Sequence, residues 1–440
     1  MPSRRLQLAI GLSLLLILVF GVTPAVVGIG IRDSTVTTLI ALIPPETRSQ
    51  LDIEETHFTS GWFRSSADMN VGYRPIGVDE FTMQVSFDIQ HGPLLITRNG
   101  PRLGLAYAEI RPAFNSREIT AALTQIPFEL PSVRFELLAG FDRSLRIGLE
   151  ISPLDYSDEA AEVVFEGLSG QLVANADQSA EFTLAMRRLQ AQQNNSHFGF
   201  TLESLQFEST TQQMNDLLAP SSALLAIPAI SSAGPFPFNA REISANSRVQ
   251  TSAASTAQID IYQRLRISSI ESELPVASLT WTSEINEING NLIRSYYELL
   301  ANLQEQMNAS QGILNTQVTD LGQQLALIAI QNSLVLNNLI EANAYAGDHS
   351  IDIRIDWQGL PEVDDIAQLD MTAVLAALNV DLVVSLDLEA IMRSPLADMV
   401  DPYVQEAYIV LENGRILVNA TVRDSELRLN GELIPLDQFF

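Results

Sequence analysis

The chain has 440 residues, which is enough for a sizeable buried core and two or three domains. Its formal charge is -28, because 53 acidic side chains outnumber 25 basic ones, and every basic residue is Arg. Without Lys or Cys, the chain cannot form a Schiff base, a disulfide, a zinc-thiolate site or a thiol nucleophile. Nucleic acid is also excluded as an expected partner, since binding to phosphate backbones needs clustered cations.

The first predicted element is a membrane anchor. No residue from Leu6 to Ile31 is charged, and Arg4 and Arg5 precede this stretch. About 20 apolar residues cross a bilayer as a helix, and flanking Arg residues stay on the cytoplasmic side. We therefore predict a cytoplasmic N-terminus at 1–5, a transmembrane helix at 6–31 and a body outside the cytoplasm. The anchor residues that we single out are Leu6, Leu14, Leu15, Leu16, Val19 and Phe20.

A cleaved signal peptide is the alternative interpretation of this stretch, because Thr23 and Ala25 resemble a cleavage site. The length of the uncharged run favours an anchor over a signal peptide. Both interpretations export the rest of the chain. The lipid bilayer is accordingly the first expected partner.

Most of the exported body is predicted to be strands. A short juxtamembrane helix is expected over 32–50, ended by Pro44-Pro45, and a β-rich region over 51–283. Apolar residues alternate with polar ones in several runs, as in Phe81, Met83, Val85, Phe87 and Ile89. This period of two is typical of half-buried strands and predicts a long antiparallel meander. We expect a long loop or a weakly packed edge in the Ser/Ala/Pro-rich region 219–257.

Residues 284–346 have a different pattern. Their apolar residues fall mainly at spacings of three, four or seven, which is typical of an amphipathic helix. Gly312 and Gly322 weaken a continuous helix, so two helices in series are expected. We predict that they pack on the sheet, with helical dimerisation as the alternative.

The C-terminal region, 347–440, returns to strands, and Asn413-Gly414 and Asn430-Gly431 indicate β-hairpins. The predicted fold class is therefore α+β, predominantly β. It combines a single N-terminal transmembrane helix, a long antiparallel β-meander, a long amphipathic helical segment packed on the sheet, and C-terminal β-hairpins.

The sequence shows no catalytic constellation. His57, His91, His197 and His349 stand alone, without a pair at metal-ligand spacing. Paired carboxylates such as Asp364-Asp365 are common in so acidic a chain, and we interpret them as solvated charge or helix N-termini. We therefore assign no catalytic residue, no metal site and no cofactor.

Three short segments match a known family. They are residues 60–67, which contain Gly61-Trp62-Phe63, residues 89–94, which contain His91-Gly92-Pro93, and residues 424–436, which contain Leu429-Asn430-Gly431. In these segments the chain resembles the YdgA-like proteins of Gram-negative bacteria. The resemblance implies an inner-membrane protein with its body in the periplasm, in a family of undefined activity. It supplies no catalytic residue. The absence of Lys and the strong acidity depart from the family's usual pattern.

Three functions are compatible with these observations. The leading hypothesis is a non-enzymatic envelope protein that binds lipid or another apolar ligand in a β-rich groove, because concave apolar surfaces bind such ligands. The second is a scaffold or assembly factor that binds other envelope proteins, or a second copy of itself, through its acidic face or the 284–346 segment. The third is a hydrolase that uses dispersed His and carboxylate side chains, with His91 and His349 as the histidines to test.

Overall fold

The computed structural model describes residues 51–73, 81–114, 129–194, 198–253, 257–297 and 314–435, together with 255 and 299. The chain divides into two compact units. The described residues of the first unit come from Met1–Tyr156, Phe165–Arg187 and Glu208–Leu217, and those of the second from Ser157–Val164, Arg188–Phe207 and Leu218–Phe440.

The first unit is built on an antiparallel sheet. The strands up to Met186 are β1 (Leu51–Ser60), β2 (Arg64–Tyr73), β3 (Phe81–His91), β4 (Leu94–Thr97), β5 (Gly100–Leu103), β6 (Ala106–Phe114), β7 (Val133–Ala139), β8 (Leu145–Ile151), β9 (Leu154–Ser157), β10 (Ala161–Phe165), β11 (Leu168–Ala174) and β12 (Ala180–Met186). Pairing runs in the order β1-β2-β3-β6-β7-β8-β11-β12. The hairpin β4–β5 forms a sheet of its own.

The two faces of this sheet differ in polarity. Val85, Phe87 and Ile89 of β3, which the alternation predicts to be apolar and inward, are buried with Ala67 and Met69 of β2 in one core cluster. Directly paired residues point to the same face of the sheet, and successive residues of a strand point to opposite faces. The polar residues that alternate with these apolar ones therefore lie on the opposite face. That face holds the hairpin and the candidate site.

The second unit contains longer strands. The remaining strands are β13 (Leu189–Gln193), β14 (Phe198–Leu202), β15 (Leu205–Thr211), β16 (Ser221–Ala233), β17 (Phe238–Thr251), β18 (Gln258–Ser272), β19 (Val276–Asn289), β20 (Leu334–Ala344), β21 (Gly347–Trp357), β22 (Leu378–Asp387), β23 (Val410–Glu412), β24 (Arg415–Arg423), β25 (Glu426–Leu429) and β26 (Glu432–Ile434). Pairing runs from β13 through β14 and β16 to β22 and then β24. β24 also pairs with β23 and β25.

The labelled helices of the second unit are short except for the first. They are α1 (Leu314–Gln331), α2 (Met371–Ala377), α3 (Leu388–Met392), α4 (Ala397–Gln405) and a 3₁₀ turn (Ile366–Gln368). An Asp carboxylate accepts a backbone N–H at the start of the 3₁₀ turn, α2 and α3, which satisfies a donor that the helix itself leaves unpaired. For Asp365 this is the helix N-terminal placement expected from the sequence.

The predicted α+β fold class is wrong, because the structure is mostly antiparallel sheet. Residues 284–289 and 334–344, predicted to belong to amphipathic helices, lie in β19 and β20, which pair with each other. Within 284–346, α1 and residues 290–297 are helical. The β-branched residues at Ile285 and Val335 favour a strand, and backbone bonding to neighbouring strands outweighs the helical spacing.

No helix among the described residues combines the length and the apolarity needed to cross a membrane. The predicted anchor at 6–31 and the juxtamembrane helix at 32–50 lie outside the described residues.

The loop expected over 219–257 is also wrong. β16 and β17 form a long hairpin there, and the four residues 234–237 make its turn. Pro228 falls where one pair of the β16–β17 ladder is missing, opposite Glu242, which has a positive φ of 51°. A strand tolerates Pro at such an irregularity because no ladder hydrogen bond is required of it. The Pro and Gly signals were therefore those of a turn and of a local gap in the ladder.

Candidate functional site

The hairpin β4–β5 emerges from the end of the first unit's sheet between β3 and β6. The N–H of Gly92 donates to the carbonyl of Leu105 at 2.7 Å, and the N–H of Gly104 donates to the carbonyl of Pro93 at 3.1 Å. A Cβ atom at Gly92 would lie 1.8 Å from the Gly104 carbonyl oxygen. The neck of the hairpin therefore accepts glycine alone at this position.

The hairpin lies over the polar face of the sheet. Leu95 and Thr97 point inward and are buried, whereas Leu94 and Ile96 point outward and are exposed. The Gln90 side chain holds the hairpin by accepting from the N–H of Ile96 and donating to its carbonyl, both at 3.1 Å. This bidentate contact fixes the distance between β3 and β4.

Charged side chains tie the hairpin turn to β6 and β7. Glu109 and Glu136 are directly paired across these strands, which on its own is unfavourable for two carboxylates. Nε of Arg98, in the turn, lies 3.6 Å from Glu109 and 3.8 Å from Glu136, and Arg111 lies 3.6 Å from Glu109. Two cations therefore offset the two carboxylates.

A polar recess of about 320 Å³ lies between the hairpin and the sheet. We call it the polar recess, and its lining includes Thr97, Asn99, Arg102, Tyr107, Glu136, Arg146 and Gln171. Tyr107 is only 2% exposed, and its hydroxyl has no partner with normal hydrogen-bond geometry among the described residues. Burial, and then the nearby negative charge of Glu136, raise the pKa of Tyr107 to about 12. The phenol therefore stays protonated at neutral pH.

A second depression, of about 670 Å³, lies next to it and is called the open recess here. Its apolar lining is Leu103, Leu138 and Phe141, and it shares Arg102, Leu138 and Arg146 with the polar recess. Leu103 is 68% exposed and Phe141 53% exposed. Apolar surface and guanidinium groups thus meet at one place.

Further exposed apolar side chains lie at the same end of the sheet. We use the name apolar rim for Trp62, Phe63, Leu94, Ile96, Leu103 and Phe141, which are all at least half exposed. The N–H of His91 donates to the Phe63 carbonyl, and the N–H of Leu105 donates to the Ala139 carbonyl. These bonds bring the turn that contains Trp62 and Phe63, the hairpin, and the turn that contains Phe141 to one end of the sheet. Clustered exposed apolar residues of this kind mark a binding surface.

The α3–α4 surface of the second unit is another exposed apolar region. We define it as Met392, Leu396, Met399, Tyr403, Val404 and Tyr408, which are exposed, whereas Val400 of α4 is buried against Ile391 and Ile416. Asp398, Asp401 and Glu406 flank it and are also exposed. This surface is apolar within an acidic border.

One family model, described as a bacterial protein of unknown function (DUF945), matches residues 4–437. The chain belongs to this DUF945 family. No curated protein and no solved structure matches it.

The first two motifs singled out in the DUF945 chain converge beside the hairpin. The N–H of Gly61 donates to the Arg64 carbonyl at 2.8 Å, which makes the tight turn that exposes Trp62 and Phe63. His91 is buried, with Nε2 at 3.0 Å from the Ser65 hydroxyl and Nδ1 at 3.2 Å from the Trp62 carbonyl. Gly92 and Pro93 then start the hairpin neck.

The Ser65–His91 pair has the separation of a nucleophile and its base. Both side chains are more than nine-tenths buried, on the core face of the sheet. The two recesses described above are lined by neither residue. The pair therefore holds the Trp62 turn against β3.

The third motif of the DUF945 chain lies in the second unit. Asn430 has a φ of 51° and Gly431 one of 91°, as a tight hairpin turn between β25 and β26 requires. The Asn430 side chain accepts from the N–H of Asn419 and donates to the carbonyls of Ala407 and Tyr408. Leu429 pairs with Ala420 on β24.

The remaining histidines are scattered. His57 bonds the Thr59 hydroxyl, His349 lies 3.0 Å from the Ala344 carbonyl, and His197 lies outside the described residues. Within the described ranges, no three His, Cys, Asp or Glu side chains are placed to hold a metal ion. The anchor residues Leu6, Leu14, Leu15, Leu16, Val19 and Phe20 also lie outside those ranges.

Sequence reasoning missed Arg102, Tyr107 and Arg146 of the DUF945 chain. The turn signal at Asn99-Gly100 was visible, and it does connect β4 and β5. Nothing in the spacing of the three side chains indicated that a hairpin of two four-residue strands would fold over β6, β7 and β8. Their convergence depends on the strand order.

Proposed function

We propose that this DUF945 chain is a non-enzymatic protein of the bacterial cell envelope that binds an amphipathic, lipid-like ligand at the β4–β5 hairpin. The observation that carries this proposal is the adjacency of the two recesses, which share Arg102, Leu138 and Arg146. Ligand sites are typically concave and apolar with a few well-placed polar groups. A molecule with an apolar part and an acidic part matches this lining.

The charge distribution supports the same ligand class. The chain as a whole carries a formal charge of -28, yet several Arg residues lie around the hairpin, namely Arg64, Arg98, Arg102, Arg143 and Arg146. Each recess is lined by Arg102 and Arg146 and by one carboxylate, Glu136 or Asp142. This small positive balance on an otherwise acidic protein attracts an anionic amphiphile more than a neutral one.

The cellular location is also part of the proposal. We place the protein at the bacterial inner membrane with its body in the periplasm, on the basis of the uncharged stretch from Leu6 to Ile31 behind Arg4 and Arg5. The narrower resemblance to YdgA-like proteins, carried by residues 60–67, 89–94 and 424–436, points to the same compartment. A reporter fused to the C-terminus should be active only outside the cytoplasm.

Binding of lipid can be tested with the full chain purified in a mild detergent. Native mass spectrometry should show a bound lipid, and titration with a short-chain phosphatidic acid should measure its affinity. Leu103→Ser and Phe141→Ser should each weaken binding about tenfold, since each removes roughly 1–2 kcal/mol of apolar contact. Leu274→Ser is the matched control, because Leu274 of the second unit is 70% exposed.

The proposal fails if the wild-type chain neither carries nor binds lipid. It also fails if the Leu103 and Phe141 variants bind as the Leu274 control does. Both residues are largely exposed, so their substitution leaves folding intact and the comparison is direct.

A scaffold function is the second candidate, and the α3–α4 surface favours it. Exposed Met and Tyr side chains are typical of protein-binding surfaces. The flanking carboxylates of Asp398, Asp401 and Glu406 select an apolar segment with basic neighbours as its partner. Site-specific photocrosslinking from Met399 in cells should yield one defined product that Asp401→Arg abolishes. Products that are equally abundant from a crosslinker at Leu274 would count against it.

A further inference from the structure

We infer that the polar recess binds a phosphate-type oxyanion, which would be the head group of the proposed lipid-like ligand. The inference rests on the proposed function for the lipid part of the ligand. The anion site itself stands on separate observations, namely an unpartnered buried hydroxyl, two surplus guanidinium groups and a strand position without a side chain.

The Tyr107 hydroxyl is the first observation. Tyr107 is 2% exposed, and its hydroxyl has no hydrogen-bond partner with normal geometry among the described residues, although the Glu136 carboxylate lies close enough to interact with it. Leaving a buried polar group unsatisfied is unfavourable, and buried polar groups normally have partners. Because the phenol stays protonated, it is a hydrogen-bond donor toward the recess that it lines. A bound oxyanion would supply an acceptor of normal geometry, which Glu136 does not.

The balance of charge is the second observation. Glu109 and Glu136 lie near Arg98 and Arg111, so the carboxylates of this region are offset within the protein. Arg102 and Arg146 also line the recess, and the described part of the chain contains no ion pair to either. The pKa of Asp142 is lowered mainly by hydrogen bonds from the Ser144 hydroxyl and N–H, and the charge of Arg146 contributes less. Two guanidinium groups are thus left over.

The geometry of the donors fits a tetrahedral anion. A guanidinium presents planar, paired N–H groups that match the oxygens of phosphate. Arg102 reaches the recess from the hairpin, since it is paired with the buried Leu95, and Arg146 reaches it from β8. Asn99 and Gln171 add neutral amide groups to the lining. Donors therefore approach from the hairpin and from the sheet.

The third observation is the space at Gly148. Gly148 is paired with both Glu136 and Gln171, so a side chain here would project onto the recess face. A Cβ at this position would meet nothing nearer than the Glu136 Cβ at 4.0 Å. The position tolerates a side chain sterically, and its absence keeps the recess open. A Gly148→Val variant should fill the recess while favouring the strand.

Calorimetric titration of the full chain with three probes tests the inference. The probes are inorganic phosphate, a short-chain phosphatidic acid and a diacylglycerol with the same chains. Arg146→Gln should weaken binding of the phosphate-bearing probes about tenfold or more, because it removes a charge-assisted hydrogen bond. Gly148→Val should weaken it to a similar extent, because the new side chain occupies the recess. Tyr107→Phe should weaken it about three- to tenfold. Arg266→Gln, an exposed Arg on β18, is the control.

The outcomes separate this inference from the proposed function. Binding of both phosphate and phosphatidic acid with this dependence supports a site for free or lipid-borne phosphate. Binding of phosphatidic acid alone, with the same dependence, supports a lipid head-group site. If both lipids bind equally and the three variants behave as the control does, the anion site is wrong and the proposed function survives. If no probe binds, both are wrong.

Discussion

The hairpin region of the first unit and the α3–α4 surface of the second unit both expose large apolar side chains. Their charged neighbours are opposite in sign, since Arg102 and Arg146 accompany the hairpin, whereas Asp398 and Asp401 flank α4. Apolar exposure alone would assign both regions the same partner. The charges separate them, because an anionic amphiphile is attracted to the first and repelled from the second.

The two regions also differ in how they are held. The hairpin is attached through a neck in which Gly92 leaves no room for a Cβ atom, and through the side chain of Gln90. The α3–α4 surface is attached through a small core of Ile391, Val400 and Ile416. Each region can therefore be disrupted separately.

Gly92→Ala should have the largest effect. The added Cβ would lie 1.8 Å from a backbone carbonyl oxygen, so the neck must open and the hairpin must leave the sheet. We expect a loss of roughly 3 kcal/mol or more of local stability, seen as rapid proteolysis between 92 and 105 and loss of ligand binding. Gly322→Ala is the control, because Gly322 of α1 has open space around it.

Equal protease resistance of the Gly92 and Gly322 variants would contradict this account of the neck. Gly322→Ala should raise the free energy of unfolding by about 0.5–1 kcal/mol, since Ala favours a helix interior. The two substitutions therefore shift stability in opposite directions.

Ile416→Ala should have the next largest effect on stability, and this effect should be confined to the α3–α4 surface and its core. Ile416 is 3% exposed, and its truncation leaves a cavity beneath α3 and α4 that costs about 2–5 kcal/mol. Hydrogen exchange should accelerate in α3, α4 and β24, whereas ligand binding at the hairpin should stay within twofold of wild type. Simultaneous loss of hairpin binding would show that the two regions are not independent.

The sequence correctly predicted strands with one buried face, but it was misleading for strands that are partly buried on both faces. The alternation at Val85, Phe87 and Ile89 correctly indicated an antiparallel strand with one buried face, because a period of two has one structural meaning. The spacing around Ile285 and Val335 was misleading. When both faces of a strand are partly buried, apolar residues appear at several spacings, including those of a helix.

The candidate site was harder to predict than the fold. Glycine at 61 and 92 and the turn at Asn99-Gly100 could be identified from sequence, and all three shape the hairpin end. The functional side chains could not, since Arg102 and Arg146 meet only because β4–β5 folds over the sheet. A recess of this kind depends on contacts between residues that are distant in sequence.

His91→Gln should have an intermediate effect on stability. This effect distinguishes a structural role of His91 from a catalytic one. The change weakens the contacts to the Ser65 hydroxyl and the Trp62 carbonyl, and buried hydrogen bonds of this kind contribute about 1–3 kcal/mol. Chemical denaturation should show this loss, and Trp62 fluorescence should report a looser turn. A hydrolase would instead lose turnover at unchanged stability, and Ser65→Ala would then abolish the same activity.

The smallest expected effect concerns alkaline pH and the Tyr107 hydroxyl. Its pKa is raised to about 12 in the folded chain, first by burial and then by Glu136, from the ordinary value of 10.0. Below pH 10 both states keep the proton, and between pH 10 and 12 the unfolded state loses it first. The free energy of unfolding should therefore fall by about 1 kcal/mol between pH 10 and 11.

Tyr107→Phe isolates this contribution, because the variant lacks the titrating group and keeps the ring. Denaturant unfolding at pH 9, 10 and 11 should show a steeper decline for the wild-type chain than for the variant. Parallel declines would mean that the phenol is solvated in the folded state and ionises at its ordinary pKa. A solvated hydroxyl would need no partner, so the same measurement also decides whether the polar recess contains the unsatisfied donor on which anion binding depends.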